Sequence, residues 1–149
     1  TYFAATQKYK TVGATDEVKE GPNYVQVTDN RGTEAGWSLK VKQEGQFKST
    51  SGKELTGAAI TFKNGNVVTA SDSGKPTGPA TITLNSDGSQ SDVMSAAKGN
   101  GAGTYLFDWG TDATTAAKSI ELTVPGSTTK YAEKYATKLT WTLTDAPGN

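Results

Sequence analysis

Apolar side chains in this chain recur at every second position, and that period commits it to strands. From Gly36 to Lys42 the order is Gly-Trp-Ser-Leu-Lys-Val-Lys. Trp37, Leu39 and Val41 fall on one face, and Ser38, Lys40 and Lys42 on the other. Val25 and Val27 within Tyr24 to Thr28, and Ile60 with Phe62 within Ala58 to Lys63, repeat the pattern. Further runs lie at Ala80 to Leu84, Thr104 to Trp109 and Lys118 to Val124. Tyr135 to Thr144 reads as the longest strand, with Tyr135, Leu139, Trp141 and Leu143 on one face and Thr140, Thr142 and Thr144 on the other. Asn64-Gly65-Asn66 is a tight-turn signal, and it predicts a hairpin joining Ala58–Lys63 to Val67 and Val68.

The segments between these runs break ladders. Gly74-Lys75-Pro76-Thr77-Gly78-Pro79 lacks donors at its prolines, and Ser86-Asp87-Gly88 and Lys98 to Gly103 have turn composition. Two stretches read as short helices, Val93 to Lys98 and Thr111 to Ala117. Neither is long enough to stand without tertiary support. The expected architecture is all-β: an antiparallel β-sandwich or barrel-like fold, with at most one or two short helices. It is expected to form one domain over residues 1–149, with 1–23 an N-terminal edge open to truncation.

Composition removes whole classes of chemistry. The chain has no His and no Cys, so Ser-His-Asp and thiolate machinery, histidine-bound zinc and disulfides are all excluded. Its 15 basic and 15 acidic groups balance, and Arg31 is the one Arg, which disfavours a phosphate-reading surface. Thr and Ser together occupy 35 of 149 positions, in keeping with strands that show hydroxyls to solvent. No apolar run approaches the ~20 residues that span a bilayer.

Enzyme-like and metal-like features are weak. Asn85 to Asp92 spaces oxygens loosely like a calcium loop but lacks its closing Glu, so an Asx-rich turn is expected and no metal or cofactor. Ser95-Ala96-Ala97-Lys98 matches S-x-x-K in letters, without its companion motifs. Glu17, Glu20, Asp108 and Asp112 are candidates for a glycosidase carboxylate pair, but no two are placed together by the sequence. Asp108, beside Trp109, is the most acid-like. Arg31 reads as a structural bridge to Asp29 or Glu34. The chain is not expected to be an enzyme.

The two cleanest strands carry one tripeptide pattern, Trp37-Ser38-Leu39 and Trp141-Thr142-Leu143. Around them lie Asp29 to Val41 (DNRGTEAGWSLKV) and Leu139 to Pro147 (LTWTLTDAP). Leu55 to Gly65 (LTGAAITFKNG), Val93 to Tyr105 (VMSAAKGNGAGTY) and Glu121 to Gly126 (ELTVPG) stand between them. This ordered set resembles the WxL domain family of Gram-positive surface proteins, from about Tyr24 to the end. Members usually carry an earlier strand with a Leu-Asp-Phe-Gly-like stretch, and none is visible here. Residues Thr1 to Gly21 therefore read as a front edge open to truncation.

The resemblance implies secretion to the cell surface and non-covalent attachment to the cell wall, with peptidoglycan as ligand. It also implies an alternative, docking onto a WxL-interacting surface protein; host-matrix adhesion is a third reading that no residue supports. No nucleic acid partner and no membrane span are expected.

The motif residues Trp37, Leu39, Trp141 and Leu143 admit two roles. Alternation with polar neighbours is what burial writes, and then the indoles are core. Exposed together, the same indoles would form a platform for sugar rings or for a partner protein. Tyr131 is the remaining binding candidate. It stands in a polar stretch between Lys130 and Lys134, suited to stacking on a sugar while the lysines reach carboxylates, or else it simply covers a sheet edge with Tyr135.

Overall fold

The computed structural model describes residues 1–10 and 17–148; residues 11–16 of the front segment lie outside the described residues. In chain order the strands are β1 (Tyr2–Phe3), β2 (Gln7–Lys10), β3 (Val18–Gly21), β4 (Asn23–Asp29), β5 (Trp37–Gln43), β6 (Lys48–Ser49) and β7 (Ala59–Phe62). They continue with β8 (Gly65–Val68), β9 (Ile82–Thr83), β10 (Gln90–Ala96), β11 (Gly103–Trp109), β12 (Ile120–Thr123), β13 (Tyr135–Ala136) and β14 (Leu139–Thr144). One helical turn, α1 (Ala113–Ala116), precedes β12.

Among the described residues every strand pair is antiparallel. The orders are β1-β12-β7-β9, β10-β5-β14 and β4-β11-β8, with two small pairs, β13-β6 and β2-β3. The inner faces of the three larger sheets meet in one apolar cluster, a sandwich as the alternation predicts. β5 contributes Trp37, Leu39 and Val41, and β11 contributes Tyr105, Phe107 and Trp109. In both strands each intervening side chain is more exposed than its inward neighbours. The front segment is built in as well: β1 pairs with β12, and β2 pairs with β3.

Three expectations need correction. Val93 to Lys98 is not a helix: Val93, Met94 and Ala96 belong to β10 and are buried. A register shift between Asp92 and Met94 turns two successive side chains, Val93 and Met94, into the core. That placement hides the period-two signal and leaves a compact apolar run of helical composition.

The hairpin at Asn64-Gly65 does not form. β7 pairs with β12 and β9, whereas β8 pairs with β11. Asn64 adopts φ 56° and the chain crosses between sheets there. The Asn66 amide secures the crossing by donating to the carbonyls of Asn64, Asp108 and Gly110. Tyr135–Thr144 is likewise two strands. Tyr135 and Ala136 pair with β6, and from Leu139 onward the chain pairs with β5. Between them the Thr137 hydroxyl donates to the Gly45 carbonyl at 2.6 Å and pins the break.

The second predicted helix holds. Asp112 caps α1 with a reciprocal capping box to Thr115, so this carboxylate is a helix cap. The Asp87 carboxylate accepts the Ser89 amide at 2.8 Å, which is the Asx turn expected of that loop. Ser95 lies inside β10 and not at a helix start, so its S-x-x-K spacing has none of the geometry of a Ser-Lys hydrolase.

Candidate functional site

The two Trp-x-Leu strands are direct neighbours. β14 pairs with β5 so that Leu143 opposes Leu39 and Trp141 opposes Val41. Opposed residues in an antiparallel pair share a face, so all four motif side chains point to the same side of the sheet. Their environments differ because β5 is the central strand and β14 the edge.

Trp37 is core, at 2% exposure, and its Nε1 donates to the Gly101 carbonyl at 3.0 Å. Its ring packs against Tyr105 at 6.3 Å between centroids. A Cβ on Gly101 would lie 2.6 Å from that Nε1, so only glycine lets the loop after β10 close over the indole. Trp141 is 39% exposed. One side of its ring leans on Trp109 and Phe62, at 6.1 and 6.5 Å, and the rest faces solvent. The twin motifs therefore differ in burial, one indole wholly inside and one at the rim.

Beside them is a groove of about 610 Å³ lined by Val27, Asp29, Arg31, Trp37, Leu143 and Asp145, among others. Arg31 stands on its wall. Its Nε and Nη2 each meet an Asp29 carboxylate oxygen at 2.9 Å, and Nη2 also donates to the Gly36 carbonyl at 2.8 Å. The guanidinium holds the Asp29 carboxyl below the usual range, chiefly through the side-chain hydrogen bond. Arg31 thus bridges to Asp29 and anchors the turn that delivers Trp37. Glu34 instead accepts from Ser73.

Tyr131 lies in a different place, 45% exposed, with the Lys53 ammonium 3.7 Å from its ring centroid. Its backbone amide donates to the Tyr135 hydroxyl at 2.9 Å. Two hollows meet at it, and a third adjoins the second. One of about 430 Å³ joins Lys53, Thr56, Thr128 and Tyr131. A second, of about 280 Å³, joins Tyr131, Lys130, Glu133, Tyr135, Tyr2 and Phe47. A third, of about 300 Å³, continues past Tyr2 and Phe47 to Phe3 and Ile120. Shared walls at Tyr131, and at Tyr2 and Phe47, make them a run that is polar at one end and apolar at the other. Tyr2 and Phe3 are each about half exposed along it.

Of the charged groups there, Lys130 Nζ donates to the carbonyls of Pro125 and Thr128, each at 3.3 Å. Glu133 accepts from the Ser51 hydroxyl, and its carboxyl is held below the usual range by hydrogen bonds from Ser49 and Ser51. The sequence reading singled out Tyr131, Lys130 and Tyr135 but missed Lys53 and Phe47. Lys53 reaches Tyr131, and Phe47 lines the same hollow, from more than seventy residues away in the chain, and no local pattern marks such a meeting.

Asp108 stands apart from both places. Burial alone raises its carboxyl above the usual range, and its Oδ1 is buried without a hydrogen-bond partner. Among the described residues, no three acidic groups are gathered so as to hold a metal ion.

The family model for the WxL domain, surface cell wall-binding, matches residues 1–147. The chain belongs to the WxL family. The match takes in the front segment as well as the blocks from Tyr24 onward, so β1, β2 and β3 fall within the residues the family model covers. Searches of curated proteins and of solved structures found no match. A WxL domain is a surface cell wall-binding module and its family is not a family of enzymes. No helix of the described residues is long and apolar enough to cross a membrane.

Proposed function

We propose that this WxL domain attaches a secreted surface protein to the wall by binding peptidoglycan along the groove around Tyr131. The observation that carries the reading is the run of hollows that joins Lys53, Lys130 and Glu133 around exposed Tyr131 to exposed Tyr2 and Phe3. A wall glycan is a linear polymer whose sugar rings offer apolar C–H faces and whose stem peptides carry carboxylates. Aromatic rings suit the first and lysines the second. Each contact is weak, since exposed ion pairs contribute about 0–1 kcal/mol. Holding comes from many such contacts on one repeating strand, where each engagement raises the effective concentration for the next. The work is binding without bond cleavage.

Co-sedimentation with purified, protein-free sacculi tests this. The folded domain is expected in the pellet, with Tyr131→Ala and Lys53→Gln each lowering the bound fraction while unfolding stays cooperative. Failure to sediment until a wall protein is added overturns the reading in favour of protein docking. Sedimentation unaffected by either variant overturns the assignment of the groove.

A further inference from the structure

Strand β14 is a free edge: β5 pairs with one side of it, and among the described residues no strand pairs with the other. Natural sheets blunt such edges with charges, prolines or bulges, because an open ladder pairs with any available strand. The opposite edge of this sheet, β10, has Asp92, a register shift next to it, and a bridge from Ser95 to Thr77. β14 has none of these devices. Its residues, Leu139-Thr140-Trp141-Thr142-Leu143-Thr144, include no charge, no Pro and no register shift.

The same segment reads identically in both directions about Trp141: Leu-Thr-Trp-Thr-Leu. Two identical strands pairing antiparallel are related by a two-fold axis, so each residue meets its mirror image about that axis. With the axis at Trp141, Leu139 meets Leu143 of the second copy, Thr140 meets Thr142, and the two indoles lie side by side. From Leu139 to Leu143 apolar meets apolar and hydroxyl meets hydroxyl at each of the five positions, the matching that stabilises cross-strand pairs. At the flanks Lys138 meets Thr144 and Asp145 meets Thr137 of the second copy, so no like charges oppose each other in this register. Trp141 and Leu143, both solvent-exposed, are the side chains such a contact would cover.

From these features we infer that β14 is a self-association edge, through which two copies join into one continuous sheet centred on Trp141. The contact is a short ladder, smaller than the ~800 Å² per partner of a typical stable complex, so pairing is reversible and favoured at high local concentration. Copies crowded on a wall meet that condition, and a paired module grips with two sites in place of one. The inference does not depend on which wall polymer is bound.

Sedimentation velocity over a concentration series tests it. The average mass is expected to rise from 15.6 kDa toward twice that value. Leu143→Lys is expected to stay monomeric with its unfolding transition unchanged. Because the chain has no Cys, introduced thiols report the register without interference. A mixture of Thr140→Cys and Thr142→Cys proteins is expected to cross-link under mild oxidation several-fold faster than either alone. A mass that never rises overturns the inference, and so does equal cross-linking of each variant by itself. Dimers unaffected by Leu143→Lys overturn it too, by placing the contact elsewhere.

Discussion

Leu39 and Leu143 face each other across the β5-β14 pair, yet Leu39 is 5% exposed and Leu143 is 54% exposed. Each belongs to a Trp-x-Leu motif, and only position in the sheet separates them. Leu39→Ala is expected to cost about 2–5 kcal/mol, as a core truncation does, and Leu143→Ala no more than about 0.5 kcal/mol. Urea unfolding of the two variants at one protein concentration measures the difference. Equal losses would contradict the placement of β14 at the edge.

The indoles are expected to divide in the same way. Trp37→Ala removes a fully buried ring together with its bond to the Gly101 carbonyl, and should destabilise by about 3–5 kcal/mol. Trp141→Ala loses only the partial burial against Trp109 and Phe62, about 1–2 kcal/mol. The melting temperatures of the two variants rank them.

Gly101 supplies an independent check on the Trp37 pocket. It has φ +80°, and a Cβ there would collide with Trp37 and Ala96. Gly32 has φ +74° with open space around it. Gly32→Ala should cost the backbone term alone, about 1–2 kcal/mol. Gly101→Ala adds overpacking of about 1–3 kcal/mol and should be clearly the worse of the two in chemical denaturation.

The Asp29–Arg31 pair makes stability depend on acid. Since the folded protein holds the Asp29 carboxyl below its ordinary range, the pair contributes fully above about pH 5. The contribution is lost as pH falls through the lowered folded value. Asp29→Asn should therefore melt below wild type at neutral pH, and the two curves should converge in strong acid.

Asp108 should behave in the opposite sense. Its carboxyl is raised by burial, so the folded protein takes up this proton more readily than the unfolded chain does. The group favours folding below the ordinary carboxylate range of about 4, and opposes it as pH rises through the raised value. Asp108→Asn is expected to melt above wild type at neutral pH and to lose that advantage near pH 3. A lower melting temperature at neutral pH would show that the charge has support from solvent or neighbours.

Much of the strand layout was legible because period two is a local signal. β4, β5, β7, β11 and β12 fall where the alternation puts them. The failures share one cause. At β10 a register shift sets Val93 and Met94 both inward, and at Asn64 and Thr137 the chain changes partners. Partner choice is settled by contacts between distant residues, and a turn motif carries no record of them.

Read as a string, the residues determined the all-β class, the faces of the main strands and the family to which the chain belongs. Those follow from side-chain periodicity and from short motifs in order, both of which are written along the backbone. The assembled sandwich decided that Trp37 is core while Trp141 stands at the rim, and that Lys53 and Tyr2 join Tyr131 in one groove. Burial depends on whether a strand lies at the centre or edge of its sheet, and groove walls on segments brought together in space. Two copies of one Trp-x-Leu pattern can therefore have opposite exposures.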